Sequence, residues 1–150
     1  MDNDEKWMNA ALEEARKAFA HGDVPIGAVV VLHDQVIGRG HNRRVVDADP
    51  LAHAEIVAIQ DAAQTLGNWR LDGASLYVTL EPCPMCAGAM VQARIQELVY
   101  AAADPKTGAA RSCYQLCDDK RMPHRLAVRY GICHTASREM LASFFAQHRK

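Results

Sequence analysis

The sequence has no apolar run long enough to cross a membrane. Its longest run, Ile26 to Leu32, is far shorter than the roughly 20 residues that a membrane-spanning helix needs. No signal peptide is recognisable either, because residues 1–5 are mostly acidic where a signal peptide would be basic. We therefore expect a soluble, cytoplasmic protein with no membrane contact.

The chain also lacks repeats, low-complexity tracts and a linker that would divide it. Its 150 residues, 49% hydrophobic and 23% charged, suit one domain over residues 1–150 with a single core. Five cysteines are an odd number for a disulfide framework. In a reducing compartment, metal binding or burial explains each cysteine better than a disulfide does.

An overall positive charge is missing as well, since the formal net charge is −1. The chain is therefore not a globally basic nucleic-acid binder. The charge is nevertheless uneven, because residues 1–103 hold 8 basic and 14 acidic side chains, whereas residues 104–150 hold 9 and 4. The basic C-terminal third is either a contact surface for a polyanion or a solvated face, and charge alone does not choose between them.

Hydrophobic periodicity and turn residues predict an alternation of helices and strands. The predicted elements are, in order, a helix over Asp4–Ala20, strands over Ile26–Leu32 and Val36–His41, a helix over about Ala52–Leu66, a strand over Ala74–Leu80, a helix from Pro84, strands over Glu97–Ala101 and Arg125–Tyr130, and a helix over Ser137–His148. The first two strands form an antiparallel hairpin. The later strands alternate with helices, which predicts an α/β fold with a mostly parallel sheet covered on both faces.

Two short motifs indicate a metal site. Cys83 and Cys86 have the C-x-x-C spacing that lets two sulfurs bind one ion, and His53 can supply a third ligand. Catalytic zinc takes three protein ligands and leaves a fourth position for water. These residues stand at predicted helix starts, where the helix dipole favours anionic sulfur. Crossover helices on one face of a parallel sheet start at the same edge, so the ligands can meet there.

Glu55 stands two residues after His53. A carboxylate beside the open metal position can take a proton from the attacking water and pass it to a leaving group. His-x-Glu followed by Pro-Cys-x-x-Cys is already known as the signature of zinc-dependent base deaminases, tRNA adenosine deaminases included. The two motifs together therefore predict a zinc-dependent hydrolytic deaminase of a nucleobase, with one zinc ion per subunit.

A lone C-x-x-C pair also occurs in redox centres and in structural zinc sites. A redox pair is disfavoured, because no thioredoxin-like strand precedes it. A closed structural site needs a fourth ligand, which Cys113, Cys117 or Cys133 could supply. Cys113 and Cys117 lie in a predicted helix or turn, and we expect both to be buried. The combined motifs are more specific than either part and favour a catalytic zinc.

The sequence resembles the bacterial tRNA-specific adenosine deaminases, the TadA family, within the cytidine deaminase-like fold. The likeness runs from about Trp7 to Arg149, and the stretches that carry it are Val24–Val29, Asp49–Ile56, Leu76–Met90 and Asp104–Ala110. The last stretch and the Phe144-Phe145 pair are more particular to the tRNA enzymes. The resemblance implies a three-layer α/β/α fold whose five-stranded mixed sheet contains an N-terminal antiparallel hairpin. It also implies a homodimer that converts adenosine to inosine at the wobble position of a tRNA anticodon.

The resemblance further implies roles for individual residues. His53, Cys83 and Cys86 would bind zinc, and Glu55 would shuttle protons. The substrate contacts implied are Ile26, Asn42 and Ala54 at the base pocket, and Asp104, Lys106 and Phe145 at the nucleotides that flank the base in the anticodon loop.

The residues alone permit simpler explanations of several of these positions. Asn42 follows a strand and suits a turn, and Asp104 with Pro105 indicates only a loop. Lys106 can be a solvated charge. The two phenylalanines can belong to the core of the last helix, which we expect for Phe144.

Two other functions remain open at this point. A small-molecule deaminase acting on guanine, cytosine or a nucleoside would use the same zinc chemistry. His-Ala-Glu disfavours ordinary cytidine deaminases, which look like Cys-Ala-Glu, and the Asp104–Ala110 stretch favours tRNA. The second alternative is a non-enzymatic RNA-binding protein stabilised by zinc, which has no use for Glu55 or for an open metal position.

Overall fold

A computed structural model describes residues 3–148, in which helices surround one five-stranded sheet. The elements are α1 (Asn3–Ala20), β1 (Gly27–Leu32), β2 (Gln35–His41), α2 (Ala54–Leu66), β3 (Ser75–Leu80), α3 (Pro84–Gln92), β4 (Glu97–Ala102), β5 (Ala127–Tyr130) and α4 (His134–Gln147). The strand order is β2-β1-β3-β4-β5. Strand β1 pairs antiparallel with β2 and β3, whereas β3, β4 and β5 are parallel. The predicted mixed sheet and N-terminal hairpin are confirmed, and the parallel part is confined to the last three strands.

Helices cover both faces of the sheet and give the predicted three layers. Helix α1 packs on β1, β2 and β3, and α4 packs on β3 and β4 of the same face, where Phe19 and Phe144 meet edge to face. Helices α2 and α3 cover the opposite face. Because successive strand residues point to opposite faces, β1 supplies both cores, with Val29 facing α1 and Val30 facing α2.

Helix α2 lies very close to β2 because the contact is made by small residues. Gly38 and Gly40 have no side chain, and a Cβ atom at either would collide with α2. The apolar residues that α2 buries completely are Ala54, Ala58 and Ala62. The larger apolar residues Ile56 and Ile59 are only partly buried, as is Ala63. The alanine face, rather than the isoleucines, therefore contacts the sheet.

Strand β5 is shorter than predicted. It begins at Ala127 instead of Arg125. The N–H of Leu126 donates a hydrogen bond to the carbonyl of Cys117 (2.7 Å), so this residue is tied to the preceding loop and the ladder with β4 starts one residue later.

Helix α4 begins at His134, three residues before the predicted start at Ser137. It follows directly on Cys133, whose backbone is left-handed (φ 58°). The hydroxyl of Ser137 donates to the carbonyl of Thr79 at 2.5 Å. Ser137 therefore ties α4 to β3 and does not begin the helix.

All five cysteines lie within the described residues and are free. Cys117 is buried, as predicted, but Cys113 is exposed. The N–H of Cys113 donates to the carbonyl of Gly108 at 2.8 Å, and its thiol donates to the carbonyl of Pro105 at 3.2 Å. Both bonds hold Cys113 against the outside of its own loop, so the expectation that it is buried is wrong.

No helix within residues 3–148 is both long enough and apolar enough to span a membrane.

Candidate active site

The three predicted metal ligands lie at the starts of α2 and α3. His53 is the N-cap residue of α2, and Cys83 is the N-cap residue of α3. Neither side chain forms a capping hydrogen bond with its own helix. Pro84 occupies the first turn of α3, where a missing N–H leaves no hydrogen bond broken. The first turn of α3 also brings Cys86 towards His53.

The distances within this cluster are short. The Nδ1 atom of His53 lies 3.6 Å from the Sγ atom of Cys83 and 3.4 Å from that of Cys86. Within residues 3–148, no other set of three or more histidine, cysteine and carboxylate side chains has ligand atoms that all lie within 4.8 Å of one another. One imidazole and two sulfurs form a donor set that suits zinc and leaves a fourth position open. The structure therefore contains a candidate His-Cys-Cys metal site, and its donor set is not that of a closed four-ligand centre.

The electrostatics of the cluster favour a thiolate at Cys83. Hydrogen bonding from Cys86, together with the bond to His53, lowers the pKa of Cys83 to about 4. Hydrogen bonding to Cys83, and then burial, raises the pKa of Cys86. The bond to Cys83 also raises the pKa of His53. The cluster thus keeps a proton on the sulfur of Cys86, which a bound metal would displace.

Glu55 is buried beside the metal site in the first turn of α2, with 4% of its surface exposed. Burial raises the pKa of its carboxyl group to about 7. A carboxyl group with such a pKa can both accept and release a proton near neutral pH, as a general acid–base catalyst requires. Its position beside Cys86, but outside the set of three ligands, suits that role.

A cavity of about 230 Å³ opens at this site. Its lining includes Glu55 and most of the other predicted site residues: Ile26, Asn42, His53, Ala54, Cys83, Asp104 and Phe145. Lys106 is not in the lining. It is exposed and lies on an adjoining apolar cleft of about 510 Å³ that shares Asp104 and Phe145 with the cavity. The structure therefore brings the predicted base-pocket residues together and places Lys106 outside the cavity.

Asn42 is at once a turn residue and a cavity residue. Its side-chain amide donates to the carbonyl of Val24 at 3.3 Å, and its side-chain oxygen accepts the N–H of Arg44 at 3.2 Å. Only 4% of Asn42 is exposed. These two bonds fix the orientation of the amide at the cavity wall.

The two terminal phenylalanines differ in their environment. Phe144 is buried, as predicted, and packs on Phe19. Phe145 is 51% exposed and lines both the cavity and the adjoining cleft. An exposed aromatic ring at the mouth of a cavity is available for stacking on a base.

Several lining residues had no predicted role, namely Val24, Arg44, Leu80, Glu81 and Thr107. Four of them, Val24, Leu80, Glu81 and Thr107, lie in sequence stretches that carry the resemblance, which is the only signal that pointed to them. Arg44 stands in the loop after β2, and its charge alone did not distinguish it from a solvated side chain.

The basic C-terminal third is partly neutralised in the structure. The arginines there that form ion pairs are Arg111 with Asp118, Arg121 with Asp119, and Arg129 with Asp4 and Glu97. The cationic side chains that border the cavity or its adjoining cleft are Arg44, Lys106 and Arg138. Three cations therefore surround the cavity mouth, while Lys120 and Arg125 line a separate surface pocket.

Comparison with known proteins gives a consistent result. A model of the MafB19-like deaminase family matches residues 2–149. The chain is 45% identical to the tRNA-specific adenosine deaminase of Bacillus subtilis (strain 168) over 150 residues, which cover 100% of this chain and 93% of that protein. It is 47% identical to the tRNA-specific adenosine deaminase of Haemophilus influenzae over 148 residues, which cover 98% and 86%.

Two solved structures show the same architecture. One comes from studies of A-to-I editing by tRNA:A34 deaminases at the wobble position of transfer RNA. It has a TM-score of 0.87 and 47% identity over 91% of this chain and 99% of that chain. The other is a guanine deaminase from Nitrosomonas europaea, with a TM-score of 0.81 and 27% identity over 95% and 84% of the two chains.

Proposed function

Because this chain belongs to the family of the tRNA-specific adenosine deaminases, we propose that it converts adenosine to inosine at the wobble position of a tRNA anticodon. The observation that carries the proposal is the position of Glu55. This buried carboxyl group lies beside an open His-Cys-Cys site at the wall of a small cavity. A closed structural metal site would have no use for it.

We propose zinc as the metal, with one ion per subunit held by His53, Cys83 and Cys86. The donor set and the open fourth position support this choice. Zinc, when bound, lowers the pKa of a water in that position to about 7, which supplies a nucleophile at neutral pH.

Glu55 carries the protons of the proposed reaction. It takes a proton from the attacking water as the oxygen adds to C6 of the purine, and it delivers that proton to N1. It then takes the remaining proton from the hydroxyl added at C6 and transfers it to the exocyclic nitrogen, so that the C6–N bond breaks, the C6 carbonyl forms and ammonia leaves. One water is consumed, and inosine and ammonia are formed. Burial of Glu55 in the first turn of α2 keeps the carboxyl group in place for both transfers.

The cavity supports a single base as the group that reacts. Its volume of about 230 Å³ is below the roughly 300–1,000 Å³ of pockets that enclose a drug-sized ligand. We assign Ile26, Asn42 and Ala54 to the base. The rest of the RNA must then remain outside, as in base-flipping enzymes, where unstacking a loop base costs only a few kcal/mol.

We assign contacts with the flanking nucleotides to Asp104, Lys106 and Phe145. Asp104 and Phe145 belong both to the cavity and to the cleft beside it, and Lys106 lines the cleft. An exposed ring and a nearby cation suit stacking on a base and pairing with a phosphate, respectively.

We also propose a homodimer of one-domain subunits, each formed by residues 1–150, that acts on tRNA in the cytoplasm. The partly buried stripe of Ile56, Ile59 and Ala63 on α2 supports a second copy, because apolar side chains there are left incompletely covered. Light scattering on a sizing column measures the mass, and a monomer at micromolar concentration would contradict the proposed dimer.

The deciding experiment uses an anticodon stem-loop with adenosine at the wobble position. The zinc-loaded protein should form inosine at that position, and it should leave a stem-loop with adenosine moved by one nucleotide largely unchanged. Free adenosine, guanine and cytosine are incubated in parallel, and ammonia release is measured in every reaction.

The alternatives have distinct outcomes in this experiment. Deamination of free guanine without any action on RNA would replace our proposal with a small-molecule deaminase, an outcome to which the similarity with the Nitrosomonas europaea enzyme gives weight. Binding of the stem-loop without ammonia release from any substrate would indicate a non-enzymatic RNA-binding protein.

A further inference from the structure

We propose that Glu81 is a positioning residue that fixes residues 104–112 at the mouth of the cavity and thereby sets the affinity for RNA. The inference rests on the proposed function, because it assigns Glu81 to the contacts around the reacting base. Glu81 follows the end of β3 and is 2% exposed. It does not need to contact the base or the metal for this role.

The carboxylate of Glu81 accepts five hydrogen bonds from one segment of the chain. The donors are the N–H of Asp104 (3.0 Å) and the hydroxyl of Ser112 (2.5 Å) to Oε1, and the N–H groups of Ala110 (3.1 Å), Arg111 (2.8 Å) and Ser112 (2.9 Å) to Oε2. Both ends of the segment therefore converge on a single side chain. Hydrogen bonds to a charged acceptor are stronger than those between neutral groups.

Gly108 allows the segment to close around this carboxylate. A Cβ atom at Gly108 would collide with the carboxyl group of Glu81 and with the carbonyl of Asp104. The N–H of Gly108 donates to that same carbonyl at 2.9 Å, which closes the tight turn. Glycine is thus required here by the close approach of the segment to Glu81.

The segment carries the side chains that we assign to the nucleotides beside the base. The carboxylate of Asp104 accepts the N–H of Lys106 (3.0 Å) and the hydroxyl of Thr107 (2.8 Å). The positions of Asp104 and Lys106 are therefore linked, and the bond from Asp104 N–H to Glu81 places both relative to the cavity. Residues 104–112 form turns and no helix or strand, so they lack a ladder of their own to hold them.

The metal site does not depend on these bonds in the same way. The N–H of Glu81 donates to the carbonyl of Ala102 at 2.8 Å, which holds the backbone at this point irrespective of the side chain. Cys83 and Cys86 are placed by α3. Removal of the negative charge at position 81 should therefore loosen the segment while the ligands stay in place.

The test compares Glu81→Gln with wild-type protein on the wobble-adenosine stem-loop. One amide NH₂ then faces N–H donors, so the segment loses part of its anchor. We expect KM to rise about tenfold while kcat changes less than about threefold, as for lost binding that is equal in ground and transition states. Hydrogen exchange should become faster at the amides of Asp104, Ala110, Arg111 and Ser112, and zinc content should stay at the wild-type level.

Glu97→Gln is the matched control. Glu97 lies at the other end of the sheet, at the start of β4, where its carboxylate accepts hydrogen bonds from Ser75 and Arg129. It should lose stability with no change in KM. Gly108→Ala should raise KM as Glu81→Gln does, and Ser112→Ala should raise it less. The test therefore still works if one of these variants fails to fold.

The positioning role would be overturned if KM were the same for Glu81→Gln, Gly108→Ala and the control Glu97→Gln. It would also be overturned if hydrogen exchange in residues 104–112 did not change. Failure of the proposed function has a different signature. In that case the wild-type protein itself forms no inosine in the stem-loop, while hydrogen exchange still reports whether Glu81 holds the segment.

Discussion

The Nδ1 atom of His53 lies 3.4 Å from the Sγ atom of Cys86, although 33 residues separate them in the sequence. The contact exists because α2 and α3 lie on the same face of the sheet and begin at neighbouring positions along one edge. Each helix start alone offers an incomplete set of ligands. Together they form a site with the open position that the proposed reaction needs.

Replacing Cys86 with serine should remove most of the bound zinc and the activity. Serine is nearly the same size, but an alcohol oxygen is a much weaker zinc ligand than a thiolate. Metal content per chain is measured by atomic emission after dialysis. Cys113→Ser is the matched control, because Cys113 is exposed and outside the ligand set, and it should retain zinc. A Cys86→Ser variant with full zinc content would show that another residue completes the site.

Replacing Glu55 with glutamine or alanine should leave zinc bound but lower kcat by about 10²- to 10⁴-fold, the usual contribution of a general acid–base catalyst. Glutamine keeps the shape of the side chain and cannot shuttle a proton. The measurement is inosine formation at saturating stem-loop, with metal content determined on the same samples. Turnover near the wild-type rate in Glu55→Gln would remove Glu55 from the mechanism.

The metal ligands could be predicted from the sequence because their geometry is local. N-cap and first-turn positions are set within a few residues, so the motifs around His53 and Cys83 already placed the ligands at helix starts. The strands of the hairpin and of the parallel part were recognisable for the same reason. Strands β1, β3 and β4 are mainly apolar and end in turn signals, whereas β2 was predicted from the turn that precedes it.

The remaining errors come from contacts between distant segments. Ser137 looked like a helix start, but its hydroxyl is used by Thr79 in β3. The isoleucines of α2 are its largest apolar side chains, yet glycines in β2 draw the alanine face onto the sheet. Cys113 was predicted to be buried because cysteines usually are. The loop that carries it follows a path set by hydrogen bonds from Arg111 and Ser112 to the distant Glu81, and this path leaves Cys113 exposed.

Two glycine-to-alanine changes should have opposite effects on the free energy of unfolding, because only one of the two glycines packs against another element. In Gly40→Ala, the new Cβ meets the backbone of α2, and we expect a loss of about 1–3 kcal/mol or more in the free energy of unfolding, as for overpacked cores. In Gly88→Ala, the new Cβ has open space within α3, and the higher helix propensity should add up to about 1 kcal/mol. Urea unfolding measures both, and two changes of the same sign would contradict the packing described here.

The ion pair between Asp4 and Arg129 predicts a stability that depends on pH. The hydrogen bond from Arg129, opposed by burial, lowers the pKa of Asp4 below its usual value, and the hydroxyl of Tyr77 also donates to it at 2.6 Å. Stabilisation by the carboxylate is therefore complete above the unfolded pKa of about 3.9 and is lost as pH falls through the lower folded pKa.

Asp4→Asn should lower the free energy of unfolding by about 1–3 kcal/mol at pH 6, the range for hydrogen bonds to charged groups, and by progressively less towards pH 3. Asp72→Asn, which breaks an exposed pair with Arg70, should change it by less than about 1 kcal/mol. A difference between wild type and Asp4→Asn that stays constant from pH 6 to pH 3 would show that the charge of Asp4 is not what holds α1 to β5.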